Sequence, residues 1–374
     1  MGNERYFYID RLRVFLICYI IFHQSLIAFG GIGPWYYTSA DRFVGTSLIV
    51  VNTVKTINIS FMMGLYFITT AMLAYITYQK HGFRNFVKTR LIVLGIPLLL
   101  YVTLFHPSYL YFVAKTKGNV EIGWLQFVID FLSHKPTFGS FWFVALLLVF
   151  ELAYAFLKKF YRKKTERVLS MWDHITPFRT TLFIICIGTV SFIIRLVSPA
   201  STIGPGIKWG FYTLYLGTFI VGLIGQRFNW ISQLRVNNSV PWLIFSFLCL
   251  PMLLFSLHYV KDWSVFTGGM NSQSLFYALW EPMVCVGICM FLMSFFHSYL
   301  NHPGKLSVKL SEMSFTAYFF YPVPIVLFTY LFESMSIPLF FKWLFTGSLS
   351  CIASFALAFI VFNVLKKIAP ALVE

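Results

Sequence analysis

The sequence predicts an all-α, polytopic integral membrane protein, and three observations support this fold class. Hydrophobic residues make up 58% of the 374 residues and charged residues only 11%, whereas soluble domains are about one quarter charged. Apolar runs of about 20 residues, each long enough to cross the hydrocarbon core as a helix, recur along the chain. No linker rich in Ser, Gly or Pro interrupts them. We therefore expect residues 1–374 to form a single membrane-embedded domain.

The apolar runs predict about ten transmembrane helices. In chain order they cover residues 12–31, 48–78, 87–112, 138–157, 181–198, 209–225, 240–257, 274–296, 313–332 and 339–365. An even number of spans places both termini on one side of the membrane. Most of the 29 Lys and Arg residues fall on that side. Because cytoplasmic loops are enriched in Lys and Arg, we expect both termini in the cytoplasm.

The net charge of +16 is explained by this loop asymmetry, so we expect no nucleic-acid partner. Asp10 and Arg13 enter the first apolar run and no small-residue cleavage site follows it, which favours a retained helix over a signal peptide. All six cysteines lie in predicted spans. This placement predicts neither a disulfide framework nor a bound metal.

The first span carries the richest set of polar residues: Asp10, Arg13, His23 and Ser25. A charged group within a span costs several kcal/mol unless it is paired or hydrated. One interpretation is structural, with Asp10 capping the helix, Arg13 reaching the headgroups and His23 packed in the core. For His23 we favour a functional role, because a neutral imidazole suits general-base catalysis near neutral pH.

The spacing of Arg13 and His23 has a geometric consequence. Nine residues lie between them, so on an ideal helix His23 lies about 15 Å further along and its side chain points about 80° away. A π-bulge between the two residues would turn them towards one face.

Other spans also contain polar residues. Asn52, Lys55 and Asn58 lie on one face of the second span, which lines either a wet cavity or a helix contact. The remaining ionisable residues in spans include Arg90, Glu151 and Glu281. Of these, Glu281 follows a polar outer loop and is a further candidate for lining a site.

Five segments carry motifs in a characteristic order. They are Tyr8-Ile9-Asp10-Arg11-Leu12-Arg13 with Phe22-His23-Gln24-Ser25, the Phe-rich run from Phe61 to Thr70, Arg90-Leu91-Ile92-Val93-Leu94-Gly95-Ile96-Pro97, Phe141-Trp142-Phe143-Val144-Ala145-Leu146-Leu147, and Leu310-Ser311-Glu312-Met313-Ser314-Phe315-Thr316-Ala317-Tyr318. Together they resemble the acyltransferase-3 family of membrane O-acyltransferases, in particular the branch related to periplasmic-glucan succinyltransferases.

The resemblance implies transfer of an acyl group, acetyl or succinyl, from cytoplasmic acyl-CoA to a hydroxyl of a cell-envelope or secreted glycan. His23 corresponds to the family's essential histidine, with Asp10 as its catalytic companion. Arg13 and Arg90 correspond to residues that bind the anionic donor. The chemistry needs no bound cofactor, since acyl-CoA is a co-substrate. Residues expected to line the site or bind the acceptor are Ser25, Lys55, Trp142 and Glu281.

Two other functions remain open from the sequence. Polar residues on several spans are also typical of a glycan transporter or flippase, and a non-catalytic subunit of a polysaccharide assembly machine is the third candidate. Dependence on a CoA thioester distinguishes the enzyme from the transporter. Tolerance of His23→Ala distinguishes the subunit from the enzyme. In each case we expect a multi-pass protein of the plasma or inner membrane, with polysaccharide synthase or export proteins as possible partners.

Overall fold

A computed structural model describes residues 6–31, 33–134, 136–161, 173–199, 209–248, 250–251 and 264–368. Throughout these ranges the chain forms helices joined by turns and irregular segments, with no β-strand. The prediction of an all-helical protein is confirmed. The basic run from Lys158 to Arg167, which the sequence predicts to lie against anionic headgroups, falls outside the described residues from Arg162 onwards, and so does Lys208, a further candidate for binding an anionic acyl group.

The α-helices are numbered in chain order. They are α1 (Phe7–Ala28), α2 (Gly45–Arg90), α3 (Ile96–Leu100), α4 (His106–Thr116), α5 (Trp124–His134), α6 (Trp142–Phe160), α7 (Pro177–Val197), α8 (Trp209–Arg227), α9 (Trp230–Gln233), α10 (Val236–Leu248), α11 (Ser264–Thr267), α12 (Ser272–Tyr299), α13 (Lys305–Phe320), α14 (Pro322–Glu333) and α15 (Leu339–Ile368). Two π-helical turns, Leu91–Gly95 and Tyr101–Phe105, flank α3, and a 3₁₀ turn, Gly139–Phe141, precedes α6.

Each predicted span contains a helix of the structure. Among the described residues, six helical segments are long and apolar enough to cross a membrane, or seven if the bent pair α13 and α14 forms one span. The count of ten and the cytoplasmic placement of the termini stay predictions. The predicted span 240–257 is helical up to Leu248, and most of its later residues fall outside the described ranges.

The second and third predicted spans lie within one long segment, Gly45–Thr116. Gly82 interrupts it with φ 71° and ψ 179°. No atom lies within 4 Å of a Cβ built at Gly82, so glycine is favoured there by backbone conformation rather than by lack of space. This break separates the two predicted spans.

The first helix is α-helical over Phe7–Ala28, so neither a π-bulge nor a 3₁₀ stretch brings Arg13 and His23 onto one face; the π-helical turns occur beside α3 instead. The connection from His106 to Thr137, which the sequence predicts as one of the longest outside the membrane, contains α4 and α5. Pro107 lies in the first turn of α4, directly after the π-helical turn Tyr101–Phe105.

The chain forms two compact units, and the single-domain expectation stays a prediction. The first unit comprises Met1–Arg13, Thr56–Phe83 and Ala153–Gly304, and the second comprises Val14–Lys55, Arg84–Leu152 and Lys305–Glu374. In the first, α12 packs against α7 and α10; in the second, α15 packs against α13 and α14. Exposed apolar side chains on α7 and α15, such as Ile193 and Ile352, suit contact with lipid.

Candidate functional site

Backbone irregularities in the second unit occur beside a buried polar cluster. The helix pair α13 and α14 bends by 61° next to Tyr321, and a π-helical turn begins at Tyr101. Gly139 has φ +48°, and a Cβ there would overlap the ring of His106. Broken helices and π-helical turns often occur at functional sites. We therefore take this region as part of the candidate site.

Hydrogen bonds join four side chains at the centre of this region: Tyr36, Tyr101, His106 and Thr137. We call these four residues the Tyr36–His106 cluster. The Nε2 of His106 lies 2.8 Å from Oγ1 of Thr137, and its Nδ1 lies 2.8 Å from the hydroxyl of Tyr36. The Tyr36 hydroxyl also lies 2.7 Å from the Tyr101 hydroxyl. Both ring nitrogens of His106 are engaged, so the imidazole is fixed in orientation.

Aromatic side chains surround the Tyr36–His106 cluster. Trp35 stacks on Tyr321 with ring centroids 5.9 Å apart, and Tyr109 meets Tyr36 edge to face at 5.6 Å. The indole N–H of Trp35 and the hydroxyl of Tyr109 are buried and make no hydrogen bond to any described residue. Buried polar groups usually have a partner. These two are therefore available to a water molecule or a polar ligand.

His23 and Lys55 are both buried in the second unit. Their exposed fractions are 4% and 6%, and the charge of Lys55 acts on His23. The Nζ of Lys55 lies 2.8 Å from the Cβ position of Gly33, whose φ is +139°. The Lys55 ammonium thus lies against the backbone of the loop that carries Trp35 and Tyr36. This loop connects the His23 and Lys55 pair to the Tyr36–His106 cluster.

The same loop is anchored at its other end. Tyr37 donates a hydrogen bond to Glu333, whose second carboxylate oxygen accepts from the backbone N–H of Ala40 at 2.7 Å. Lys342 donates to Asp41 at 2.5 Å. Burial and the adjacent Glu333 raise the pKa of Tyr37 to about 12, so Tyr37 stays a hydrogen-bond donor at neutral pH. The loop above Lys55 is held in one position.

Two further predicted site residues lie in the second unit. The hydroxyl of Ser25 is fully buried and donates to the carbonyl of Phe22 at 2.8 Å, so its own helix uses this donor. Trp142 begins α6 and is half-buried. Their expected contact with an acceptor stays a prediction.

Arg90 ends α2 and faces a carboxylate. Its Nε lies 3.1 Å from Oε2 of Glu151 on α6, and its guanidinium lies 5.0 Å from the ring centroid of Phe86. The Glu151 side chain is 2% exposed and that of Arg90 is 17% exposed. Glu151 thus positions Arg90, whose donor-binding role stays a prediction.

The remaining predicted residues lie in the first unit. Asp10 is buried in the first turn of α1, and the Nε of Arg13 is buried without a hydrogen bond to a described residue. Glu281 pairs with Arg195, and both side chains are at most 1% exposed. Arg195 also donates to the carbonyl of Gly210 at 3.1 Å. The site-lining role of Glu281 stays a prediction.

The sequence did not identify Arg195, His106 or Tyr101. Arg195 had a signal, since a cation within an apolar run requires a partner. His106 stands near the outer end of the predicted span 87–112, and Tyr101 had no polar pattern around it. Among the described residues, no three His, Cys, Asp or Glu side chains are grouped in a way that could hold a metal ion.

Comparison with known proteins gives the family. No curated protein and no solved structure matches the chain. The acyltransferase-3 family model, described as an acyltransferase domain, matches residues 6–363, which confirms the resemblance carried by the motifs. The match includes His23, Lys55 and every other candidate residue described above. The chain therefore belongs to the acyltransferase-3 family and is a membrane acyltransferase.

Proposed function

We propose that the protein transfers an acetyl or succinyl group from cytoplasmic acyl-CoA to a hydroxyl of a cell-envelope or secreted glycan, with His23 as the general base. The observation that carries the proposal is the burial of both His23 and Lys55, with the charge of Lys55 acting on His23. A neutral imidazole accepts a proton, and a cation beside it stabilises negative charge that develops on the substrate.

The reaction requires few groups. An imidazole nitrogen of His23 takes the proton of the acceptor hydroxyl while that oxygen attacks the thioester carbonyl carbon. The carbonyl π electrons move onto oxygen, where the positive charge of Lys55 stabilises them. The C–S bond then breaks as the carbonyl re-forms, the ester is released, and the CoA thiolate takes up the proton from His23. Lys55 also suits the free carboxylate of a succinyl group.

Donor binding is assigned to arginine. Guanidinium groups bind phosphate through paired N–H donors, and CoA carries several phosphates. Arg13 has a buried Nε without a hydrogen bond to a described residue. Arg90 is oriented through its Nε by Glu151. The proposal gives both side chains contacts to the CoA moiety, with Asp10 supporting the catalytic helix.

We assign binding of the acceptor glycan to Trp35, on the loop between α1 and α2, and to Tyr109 of α4. Trp35 and Tyr109 offer buried donors, and their rings suit stacking on a sugar. With ten spans and cytoplasmic termini, this loop faces away from the cytoplasm, where a glycan acceptor is found. The protein then acts in the plasma or inner membrane, beside polysaccharide synthase or export proteins.

The test compares wild type with His23→Ala and His23→Gln in nanodiscs. Purified protein receives labelled acetyl-CoA or succinyl-CoA with candidate glycans, and thioester loss and ester formation are measured. Because general-base catalysis contributes about 10²–10⁴-fold, both variants are expected to lose activity by at least about 10²-fold while remaining folded.

His81→Ala is the matched control, because His81 is exposed on α2 and lies outside the proposed site. It should retain wild-type activity. Full thioester-dependent activity in folded His23→Gln would refute the general-base assignment. Wild-type protein that moves a glycan across the membrane without a CoA thioester would instead establish the transporter.

A further inference from the structure

The first unit contains a cavity of about 320 Å³ between four helices. Its walls include Met72 of α2, Phe183 of α7, Val221 of α8 and Met290 of α12. The volume equals about ten water molecules at about 30 Å³ each. Water in an apolar cavity lacks the two to four polar partners it needs. The cavity therefore suits a hydrocarbon chain.

One end of the cavity is cationic. His174 and Arg179 line it there, at the N-terminal end of α7, where the helix dipole also favours negative charge. The Nη1 of Arg179 donates to Asp173 and to the carbonyl of His174, both at 2.9 Å. Its Nε and Nη2 make no hydrogen bond to any residue in the described ranges. An anionic group could therefore bind Arg179 without displacing those contacts.

The cavity thus combines an apolar body with a cationic end. Its walls come from α8 and from α2, α7 and α12, and the last three of these belong to segments long and apolar enough to cross a membrane. Basic pockets between membrane helices bind anionic headgroups. We propose that this cavity binds one anionic phospholipid, with an acyl chain between the four helices and the phosphate on Arg179. The proposal is independent of the assignment of His23.

Asp173 opposes such a ligand. Its hydrogen bond with Arg179 holds the pKa of the Asp173 carboxyl below its usual range, so the carboxylate is charged at neutral pH. A phosphate on Arg179 therefore shares the guanidinium with Asp173 and is repelled by it. Removing this charge in Asp173→Asn should increase the preference for an anionic lipid.

The experiment measures lipid retention by native mass spectrometry. Full-length protein is equilibrated in detergent with equal amounts of phosphatidylglycerol and phosphatidylcholine, which share acyl chains and differ in headgroup charge. Wild type should retain one phosphatidylglycerol in preference. Arg179→Gln should reduce that preference about fivefold, since a basic contact contributes about 1 kcal/mol. Arg235→Gln, which removes an exposed arginine outside the cavity, should leave it unchanged.

A second variant tests the hydrocarbon part of the site. Gly225 lines the cavity, and the three heavy atoms nearest to a Cβ there belong to Trp230, at 3.6 Å or more, so Gly225→Leu adds a side chain to the cavity wall without a close contact at Cβ. It should reduce retention of both lipids, while an unchanged thermal unfolding midpoint shows that the protein is folded.

Three outcomes would overturn the proposal. Equal retention of the two lipids by wild type would remove the role of Arg179, and full retention by folded Gly225→Leu would place the lipid elsewhere. Displacement of the lipid by an equimolar acyl-CoA would assign the cavity to the acyl donor. Loss of transferase activity in the His23 variants has no bearing on lipid retention, so the two proposals fail separately.

Discussion

The two compact units bury their charges in different ways. In the first, the guanidinium of Arg195 meets the carboxylate of Glu281, and the two charges neutralise each other. In the second, Lys55 and His23 are both buried, and the charge of Lys55 acts on the imidazole. A neutralised pair is what a structural contact in a membrane requires. A buried cation near a base is useful for stabilising a developing negative charge.

The comparison also extends to the backbone. In the second unit, the π-helical turn at Tyr101 and the bend next to Tyr321 lie beside the Tyr36–His106 cluster. The long helix α12 of the first unit is continuous from Ser272 to Tyr299 although it contains Pro282. Irregular backbone in a membrane is tolerated where protein surrounds it or where it lines a cavity. These irregularities favour the second unit as the place of catalysis.

The largest expected effect comes from breaking the structural pair. Glu281→Leu leaves the guanidinium of Arg195 buried without its carboxylate, so the free energy of unfolding should fall by about 3–5 kcal/mol. The double variant Arg195→Met, Glu281→Leu replaces both charges with apolar groups and should recover most of the loss. Denaturant unfolding of the purified protein in detergent measures both.

Transferase activity supplies the control for this pair. Activity per folded molecule should be near that of wild type in the double variant, because the charges serve stability. If the double variant were as unstable as Glu281→Leu, Arg195 and Glu281 would contribute more to stability than the neutralisation of each other's charge. A stable double variant without activity would place Glu281 in the site after all.

Much of the fold follows from the sequence because hydrophobic length alone specifies a membrane helix. His23 was identifiable for a related reason, since a polar group in an apolar run is conspicuous. The residues around His23 could not be identified from the sequence, because Gly33 and Lys55 come together only when two helices pack. The partner of Glu281 lies 86 residues away on another helix, and no local pattern specifies such a pairing. His106 could not be identified either, because its hydrogen-bond partners Tyr36 and Thr137 lie far from it in the sequence.

The next effect tests the charge of Lys55. Lys55→Met keeps the length of the side chain and removes its charge. Because loss of one preorganised electrostatic group typically costs about 10²–10³-fold in kcat, ester formation from labelled acyl-CoA should fall by that factor. Lys309→Met, which changes an exposed lysine of α13, is the matched control.

The two variants sharpen the contrast between the units. Together with the double variant of Arg195 and Glu281, Lys55→Met tests whether the two units use buried charge differently. In the first unit we expect stability to change while activity per folded molecule does not. In the second unit we expect kcat to fall in protein that is still folded. Wild-type kcat in folded Lys55→Met would make Lys55 a structural residue and remove the contrast.

The smallest expected effect concerns the Tyr36–His106 cluster. His106→Phe keeps a ring against Tyr101 but removes both hydrogen bonds, which leaves the half-buried hydroxyls of Tyr36 and Thr137 each without one partner. The free energy of unfolding should fall by about 1–3 kcal/mol. Since Tyr36 lies on the loop that contacts Lys55, the KM for the glycan should rise more than kcat falls. His134→Phe on α5, with an exposed side chain, should change neither quantity. A fall in kcat as deep as that of His23→Ala would mean that His106 takes part in proton transfer, and the functional site would then extend from α1 to α4.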